Sequence, residues 1–490
     1  CLTQHPQFII LMADDVGYGD VFGAPTIRTP NLDKLAAGGL KQTQFLSAAP
    51  LCSPGRAAML TGRLPQRSGT FTNTSFPLDE VYRVFLPTSL GCLPDTEVTL
   101  AEALKGAGYY TAMVGKWHLG HQMSTRSCLP TAKGFDYFYG LPYSHEEGFP
   151  GPKFPESVVY PPIPLIQNTD VVEQPVDLDS ITPEYNRQYP PSPAPHAGQP
   201  FFLYVGYGEA HVPLFADPAF QGKSLRGDYG DAVEQLDDAV GRVMAALEAK
   251  GLANNTYVVF SSDNGAWLDP GSGLAAGSAL NGGSNAPFRG GKGSTWEGGM
   301  REPSIIWGPT VPAGETSMVL SSQMDWLPTF LELAHVPLPN VTLDGKSLVP
   351  VLNGSTATLH DYFYYWREHE LYAIRGGAFK LHFKTRPGFG FHPPTTHDPP
   401  LLFNVETDPA ESLPLNNSAV VAQLTAAANA HVAAMSPLPP SQYQANSFDV
   451  VPCCNHPYNS SEAAEFIREG EIGLAVWDGC VCSPAHRPRS

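Results

Sequence analysis

Two pairs of adjacent oxygen donors, Asp14-Asp15 and Asp263-Asn264, each follow an apolar run, at 8–13 and 257–262. Carboxylates and a carboxamide offer only hard oxygen ligands, the set a hard divalent cation prefers. One Asp-Asp pair alone more often caps a turn or a helix, but two pairs at two strand ends favour a metal cradle. Between them, Cys52-Ser53-Pro54-Gly55-Arg56 leads into a short apolar stretch ending Leu60-Thr61-Gly62. That is the pattern of a loop entering a helix: Pro54 suits the first turn, and the helix N-terminus favours an anion beside Cys52. Taken alone, such a cysteine is more often a packing residue.

Elements must hold these groups in place. The apolar runs at 8–13, 200–205 and 257–262 read as buried parallel strands ending in polar residues. Helical patterns fall at 30–39, 99–108 and 231–250, the last with Val233, Leu236, Val240, Val243 and Leu247 on one face. Alternation of strand and helix makes the fold class α/β, with the site beyond the carboxyl ends of the strands, where both acidic pairs sit. The proline-rich stretch 150–200 reads as a long surface loop. After about residue 348, short strands at 362–366, 372–375, 379–383 and 401–405 and a helix at 419–434 predict a small antiparallel sheet with one helix. The division expected is a catalytic unit over 1–348 and a smaller α+β unit with a cysteine-rich tail over 349–490.

The chain has 490 residues, a formal net charge of −18 and no cluster of basic residues that could follow a nucleic-acid backbone, so nucleic-acid binding is excluded. No apolar run approaches the ~20 residues of a membrane-spanning helix. The start at Cys1, without Met or a hydrophobic leader, suits a mature form whose signal peptide has been removed. Asn-x-Ser/Thr sequons at Asn73, Asn254, Asn340, Asn353, Asn416 and Asn459 fit a glycosylated protein of the secretory pathway, lysosomal or secreted. There, the paired cysteines Cys453-Cys454 and Cys480-x-Cys482 read as disulfides between the two pairs rather than zinc ligands. Cys92 and Cys128 are the next pair expected, and Cys1 the one left unpaired.

Cys52-x-Pro54-x-Arg56 followed by Leu-Thr-Gly resembles the first signature of the sulfatases, and 108–118, ending Gly115-Lys116-Trp117-His118, is similar to the second. The likeness continues through Asp14-Asp15, Pro142-Tyr-Ser144-His145, His211, Asp263-Asn264-Gly265 and Gly291-Lys292-Gly293. It lies nearest the arylsulfatase A and N-acetylgalactosamine-6-sulfatase branch. Two departures stand out: Gly55 where Ser, Thr or Ala is usual, and Glu209 where the arylsulfatase A pattern has histidine, which would add negative charge beside the pocket. Members also carry a helix before the strand matching 201–205, which the prolines after Tyr189 cannot continue.

The resemblance implies an alkaline-phosphatase-like fold, a large mixed sheet flanked by helices. It implies one Ca²⁺ per chain on Asp14, Asp15, Asp263 and Asn264, and conversion of Cys52 to formylglycine by a formylglycine-generating enzyme. By the same resemblance Arg56 and Lys116 hold the hydrated aldehyde, Asp263 activates its attacking hydroxyl, and His118 is the base for the second. His211 and Lys292 face the ester oxygen, and Ser144 donates to sulfate. The implied reaction is hydrolysis of sulfate monoesters of small aryl, glycan or lipid substrates. A phosphonate or phosphodiester hydrolase using the same site, and a catalytically silent glycan-binding glycoprotein, are the alternatives. The oligomeric state, a homo-oligomer included, stays open.

Overall fold

The computed structural model describes residues 5–80, 83–148, 162–188, 198–268, 282–388, 393–443, 445–447, 450–454 and 480. Its centre is the strand Gln7–Ala13, paired in parallel on one side with Phe201–Gly206 and on the other with Thr256–Ser262. Tyr110–Gly115 and Tyr137–Gly140 extend the parallel set beyond Phe201–Gly206. Antiparallel strands close both flanks, Ser304–Trp307 beside Thr256–Ser262 and Leu165–Gln167 beside Tyr137–Gly140, in a ten-stranded mixed sheet.

Alternation along the central strand shows why the sheet is buried on both sides. Phe8, Ile10 and Met12 enter one core with Leu100, Leu104, Trp326 and Phe330, while Ile9, Leu11 and Ala13 enter the other with Leu32, Leu35, Val233, Leu236 and Val240. The helices Cys52–Thr61, Leu100–Gly106 and Trp326–Leu333 therefore cover one face. Pro30–Ala37 and Gly227–Ala249 cover the other. Each fully buried Leu or Val side chain contributes about 1.5–3 kcal/mol, and this double core offsets the cost of holding a charged site dry between its layers.

The segment expected as a loop over 150–200 contains ordered structure instead. Leu165–Gln167 and Asp170–Glu173 form an edge hairpin, and Leu178–Arg187 is a helix capped by the Asp177 side chain. Leu178, Ile181 and Tyr185 of that helix pack on the second core at helical spacing, a signal masked in the sequence by flanking prolines. So a helix does precede the strand Phe201–Gly206. Its Pro183 sits inside the element.

The C-terminal region forms a four-stranded antiparallel sheet, Phe363–Arg367, Glu370–Gly376, Phe379–Thr385 and Thr395–Asn404, with the helix Ser418–Met435 against it. Its last strand begins at Thr395, earlier than the position 401 that the sequence suggested. A buried ionic knot ties this sheet to the large one. Glu297 receives Lys380 Nζ at 2.9 Å and the Tyr365 hydroxyl at 2.8 Å on one oxygen, with Arg301 Nε at 2.8 Å on the other. Cys92–Cys128 and Cys453–Cys480 are disulfides, and Cys454 is also disulfide-bonded. Cys1 and Cys482 lie outside the described residues.

Candidate active site

The carboxyl ends of four adjacent parallel strands deliver the site: Asp14 and Asp15 follow Gln7–Ala13, Lys116 and His118 follow Tyr110–Gly115, His211 follows Phe201–Gly206, and Asp263 and Asn264 follow Thr256–Ser262. Cys52 opens its helix as the sequence predicted, with Leu51 extended before it. Gly55 lets this helix lie close, since a Cβ there would sit 2.9 Å from the Asp263 carbonyl oxygen. Ser53 hooks the helix to the neighbouring loop by donating from Oγ to the His118 carbonyl at 2.8 Å.

Ligand atoms of Asp14, Asp15, Cys52 and His211 all lie within 4.8 Å of one another, and all four residues are buried. Cations ring them. Lys116 Nζ donates to Asp14 Oδ2 at 2.6 Å and to Ser144 Oγ at 3.2 Å; Lys292 Nζ donates to Asp15 Oδ2 at 2.8 Å. Arg56 donates from Nε to Asp263 Oδ2 at 2.9 Å and from Nη1 to the Lys116 carbonyl and the Tyr204 hydroxyl. His211 donates from Nδ1 to the Val212 carbonyl at 2.7 Å, which leaves Nε2 3.5 Å from Asp15 Oδ2 and 3.8 Å from Glu146 Oε1.

Burial dominates the electrostatics. It pushes the Cys52 thiol up to about 12 against the pull of Lys116 and Lys292, so at neutral pH an unmodified Cys52 is a protonated thiol and a weak nucleophile. Burial, with Asp14 and Asp263 nearby, lifts Asp15 to about 7 despite Lys292. Burial also pulls both His118 and His211 well below the usual imidazole range, reinforced in each case by nearby lysines.

The residues fit a hard cation. Asn264 donates from Nδ2 to Asp15 Oδ1 at 2.6 Å, which turns its Oδ1 away from that bond. That Oδ1 and Asp14 Oδ1 are buried oxygens with no hydrogen-bond partner, Asp14 Oδ1 lying 3.7 Å from Arg56 Nη2, beside the carboxylates of Asp15 and Asp263. Buried lone pairs of this kind need a positive partner, and an all-oxygen set suits a group-two ion.

Several site neighbours were invisible to sequence reasoning. Glu146 and Glu147 lie on the single turn His145–Gly148, Tyr204 anchors Arg56, and Gln323 donates to the Ser262 carbonyl at 2.6 Å. Only the adjacency of two glutamates after Ser144-His145 could have drawn attention to the first pair. Glu209 does not charge the pocket. Its carboxyl accepts from Thr182 Oγ1 and from Gln235 Nε2, and burial raises its pKa, so it joins two helices behind the site.

Residues 6–336 match the family described as Sulfatase, and 358–462 match the C-terminal region of aryl-sulfatase. Arylsulfatase A of Bos taurus is 39% identical over 446 residues, spanning 85% of this chain and 84% of that one. N-acetylgalactosamine-6-sulfatase of Sus scrofa is 40% identical over 451 residues, spanning 84% and 82%. Among solved structures, the PsFucS1 sulfatase from Pseudoalteromonas sp. superposes with a TM-score of 0.76 at 28% identity, over 90% of this chain and 91% of that one.

Proposed function

The chain belongs to the sulfatase family, has its alkaline-phosphatase-like fold and hydrolyses sulfate esters, and on that premise we propose how its own residues divide the work. Sulfatases use a formylglycine and a metal ion. We assign the formylglycine to Cys52, made by a formylglycine-generating enzyme, and the ion to one Ca²⁺ held by Asp14, Asp15, Asp263 and Asn264. The hydrated aldehyde would supply two hydroxyls on one carbon, one to attack sulfur and one to expel sulfate, and the cation would draw charge from the sulfate oxygens.

Around that chemistry the residues have separate tasks. Arg56, with its donors turned to Asp263, Lys116 and Tyr204, fixes the Asp263 carboxylate that takes the proton of the attacking hydroxyl. Lys116 joins Asp14 to Ser144 and so holds the Ser144 hydroxyl where it can donate to a sulfate oxygen. Lys292 and His211 face the ester oxygen: Lys292 stabilises its developing charge, and His211, whose Nδ1–H is held by the Val212 carbonyl, donates from Nε2 once the anionic sulfate group beside it has raised its proton affinity. His118 accepts the proton of the second hydroxyl. The net charge of −18 opposes an anionic substrate only at long range; at contact the buried Arg56, Lys116 and Lys292 set the field.

The observation that carries the assignment is Cys52 buried among Asp14, Asp15 and His211, with those three cations around it. Relatives named for sulfate esters favour sulfate over phosphonate as the group cleaved, and substrates of the aryl, sulfated-sugar or sulfolipid class follow. The test combines mass spectrometry of the residue-52 peptide, bound calcium per chain, and hydrolysis of an aryl sulfate against an aryl phosphonate ester. Unmodified Cys52 in active enzyme, or preference for the phosphonate, overturns the assignment.

Six sequons and the disulfides support a place in the secretory pathway, lysosomal or extracellular; no helix among the described residues is long and apolar enough to cross a membrane. We assign catalysis to 1–348 and a supporting role to 349–490, on the ground that every proposed site residue falls in the first part.

A further inference from the structure

The consecutive glutamates of the turn His145–Gly148 point at two different histidines. Glu146 Oε1 lies 3.8 Å from His211 Nε2, and Glu147 Oε2 lies 3.8 Å from His118 Nε2. The second pair is the drier: His118 and Glu147 are both buried, and Glu147 Oε2 and both ring nitrogens of His118 have no hydrogen-bond partner. Three buried polar atoms left this way, two of them facing each other, call for a partner.

We propose that Glu147 is the positioning residue of His118, and that the two act as one base in releasing sulfate from residue 52. The proposal rests on the assignment of His118 as that base. Both partners are held from outside. The backbone of His118 adopts φ 58°, a left-handed conformation costly for a residue with a Cβ, and is fixed by its N–H to the Pro142 carbonyl at 3.1 Å and its carbonyl to Ser53. Glu147 is fixed by its N–H to the Ser144 carbonyl at 3.1 Å, and the turn by the Ile163 N–H to Gly148 at 2.8 Å. Bringing 3.8 Å to a hydrogen bond needs a side-chain shift of about 1 Å.

With its Nε2 proton directed to Glu147, His118 presents the lone pair of Nδ1. The hydroxyl proton on residue 52 moves to Nδ1 as the Nε2 proton moves to Oε2. The oxygen's electron pair closes the carbonyl, and the C–O bond to sulfate breaks with its pair leaving on sulfate. Glu147 later returns its proton to Nε2 as Nδ1 releases the hydroxyl's proton to water, so His118 regains its starting tautomer and no oxidant or reductant is involved. The two environments complement each other. Burial, Lys116 and Arg56 make His118 a feeble base alone, whereas burial and the neighbouring Glu146 raise the proton affinity of the Glu147 carboxylate, so at a pH above its raised pKa the pair takes up a proton that the imidazole by itself would refuse.

The experiment compares Glu147→Gln, Glu147→Asp and His118→Ala, each checked for Cys52 conversion, by rapid quench with a series of aryl sulfates and mass spectrometry of the residue-52 peptide. Glu147→Gln should lower kcat by about 100-fold, retain sulfate on residue 52, and make kcat independent of the leaving group, with KM unchanged or lower. Glu147→Asp, keeping the carboxylate but widening the gap, should fall between, and serves if the glutamine variant does not fold. Sulfate retained in His118→Ala but in neither Glu147 variant overturns the role of Glu147 alone. Sulfate retained in none of the three overturns the reading of His118. A rise in KM with kcat intact in Glu147→Gln also overturns the proposal.

Discussion

Arg56 and Asp263 meet through a single oxygen: Nε lies 2.9 Å and Nη2 2.8 Å from Asp263 Oδ2, with both side chains fully buried. Asp263 Oδ1 is thereby left toward Asp15, whose backbone N–H approaches it at 3.3 Å. One carboxylate so serves a guanidinium on one side and the proposed metal cradle on the other.

Asp263→Asn removes the negative charge that both neighbours share. Bound calcium should fall and kcat should drop by at least about 100-fold. Stability should also fall by up to about 3–5 kcal/mol, because the buried Arg56 loses its nearest counter-charge and keeps only Asp14 Oδ1 at 3.7 Å. Metal content and turnover measured on the same preparation check this; wild-type values of both would refute the cradle.

Replacing His211 with alanine should slow sulfates with basic leaving groups far more than those with acidic ones, since proton donation matters most where the departing oxygen is basic. A plot of log kcat against leaving-group pKa should steepen. Uniform loss across the series would make His211 structural.

Cys52→Ser keeps one hydroxyl at the head of the helix. Its oxygen can attack sulfur, the S–O bond to the ester oxygen breaking as the new one forms, but no second hydroxyl exists to expel sulfate. The variant should stop after at most one turnover with a stable serine sulfate, visible in intact-protein mass spectra. Sustained turnover would exclude the two-hydroxyl chemistry.

Glu297→Gln tests the knot between the sheets. Burial alone would raise this carboxyl, but Arg301, Lys380 and Arg375 together hold it well below its usual range. A carboxyl whose folded pKa is depressed contributes stability that is whole above the unfolded value, about 4.3, and lost as pH falls through the lower folded value. Wild type should therefore exceed the variant by about 3–5 kcal/mol at pH 7 and at pH 5, with the gap narrowing only below about pH 4. Urea midpoints at the three pH values decide it.

Much of this was legible in the chain. The apolar runs at 8–13, 200–205 and 257–262 announce central strands because burial on both faces removes polar alternation, and Asp14-Asp15 and Asp263-Asn264 announce the site because they end those runs. The helix Gly227–Ala249 was found through its one-sided stripe. What stayed hidden depends on contacts between distant positions. No local pattern tells that Tyr204 meets Arg56, or that Glu147 faces His118 while Glu146 faces His211. Glu209 misled for the opposite reason: nearness to His211 in sequence suggested a shared pocket, yet the chain turns at 208–211, closed by the His211 N–H on the Gly208 carbonyl, and the Glu209 carboxyl reaches Thr182 and Gln235 instead.

Cys52 is 2% exposed, and every residue of its helix is buried. An enzyme that oxidises this cysteine needs the peptide around it extended and in reach, a condition the finished protein withdraws. On the assignment proposed for Cys52, maturation and folding would compete for the same stretch of chain. Molecules that closed the helix before oxidation would be trapped as inert copies of the same shape, so the specific activity of a preparation would record a race run during synthesis, and slower closure of the layers around Cys52 should yield more active enzyme from the same gene.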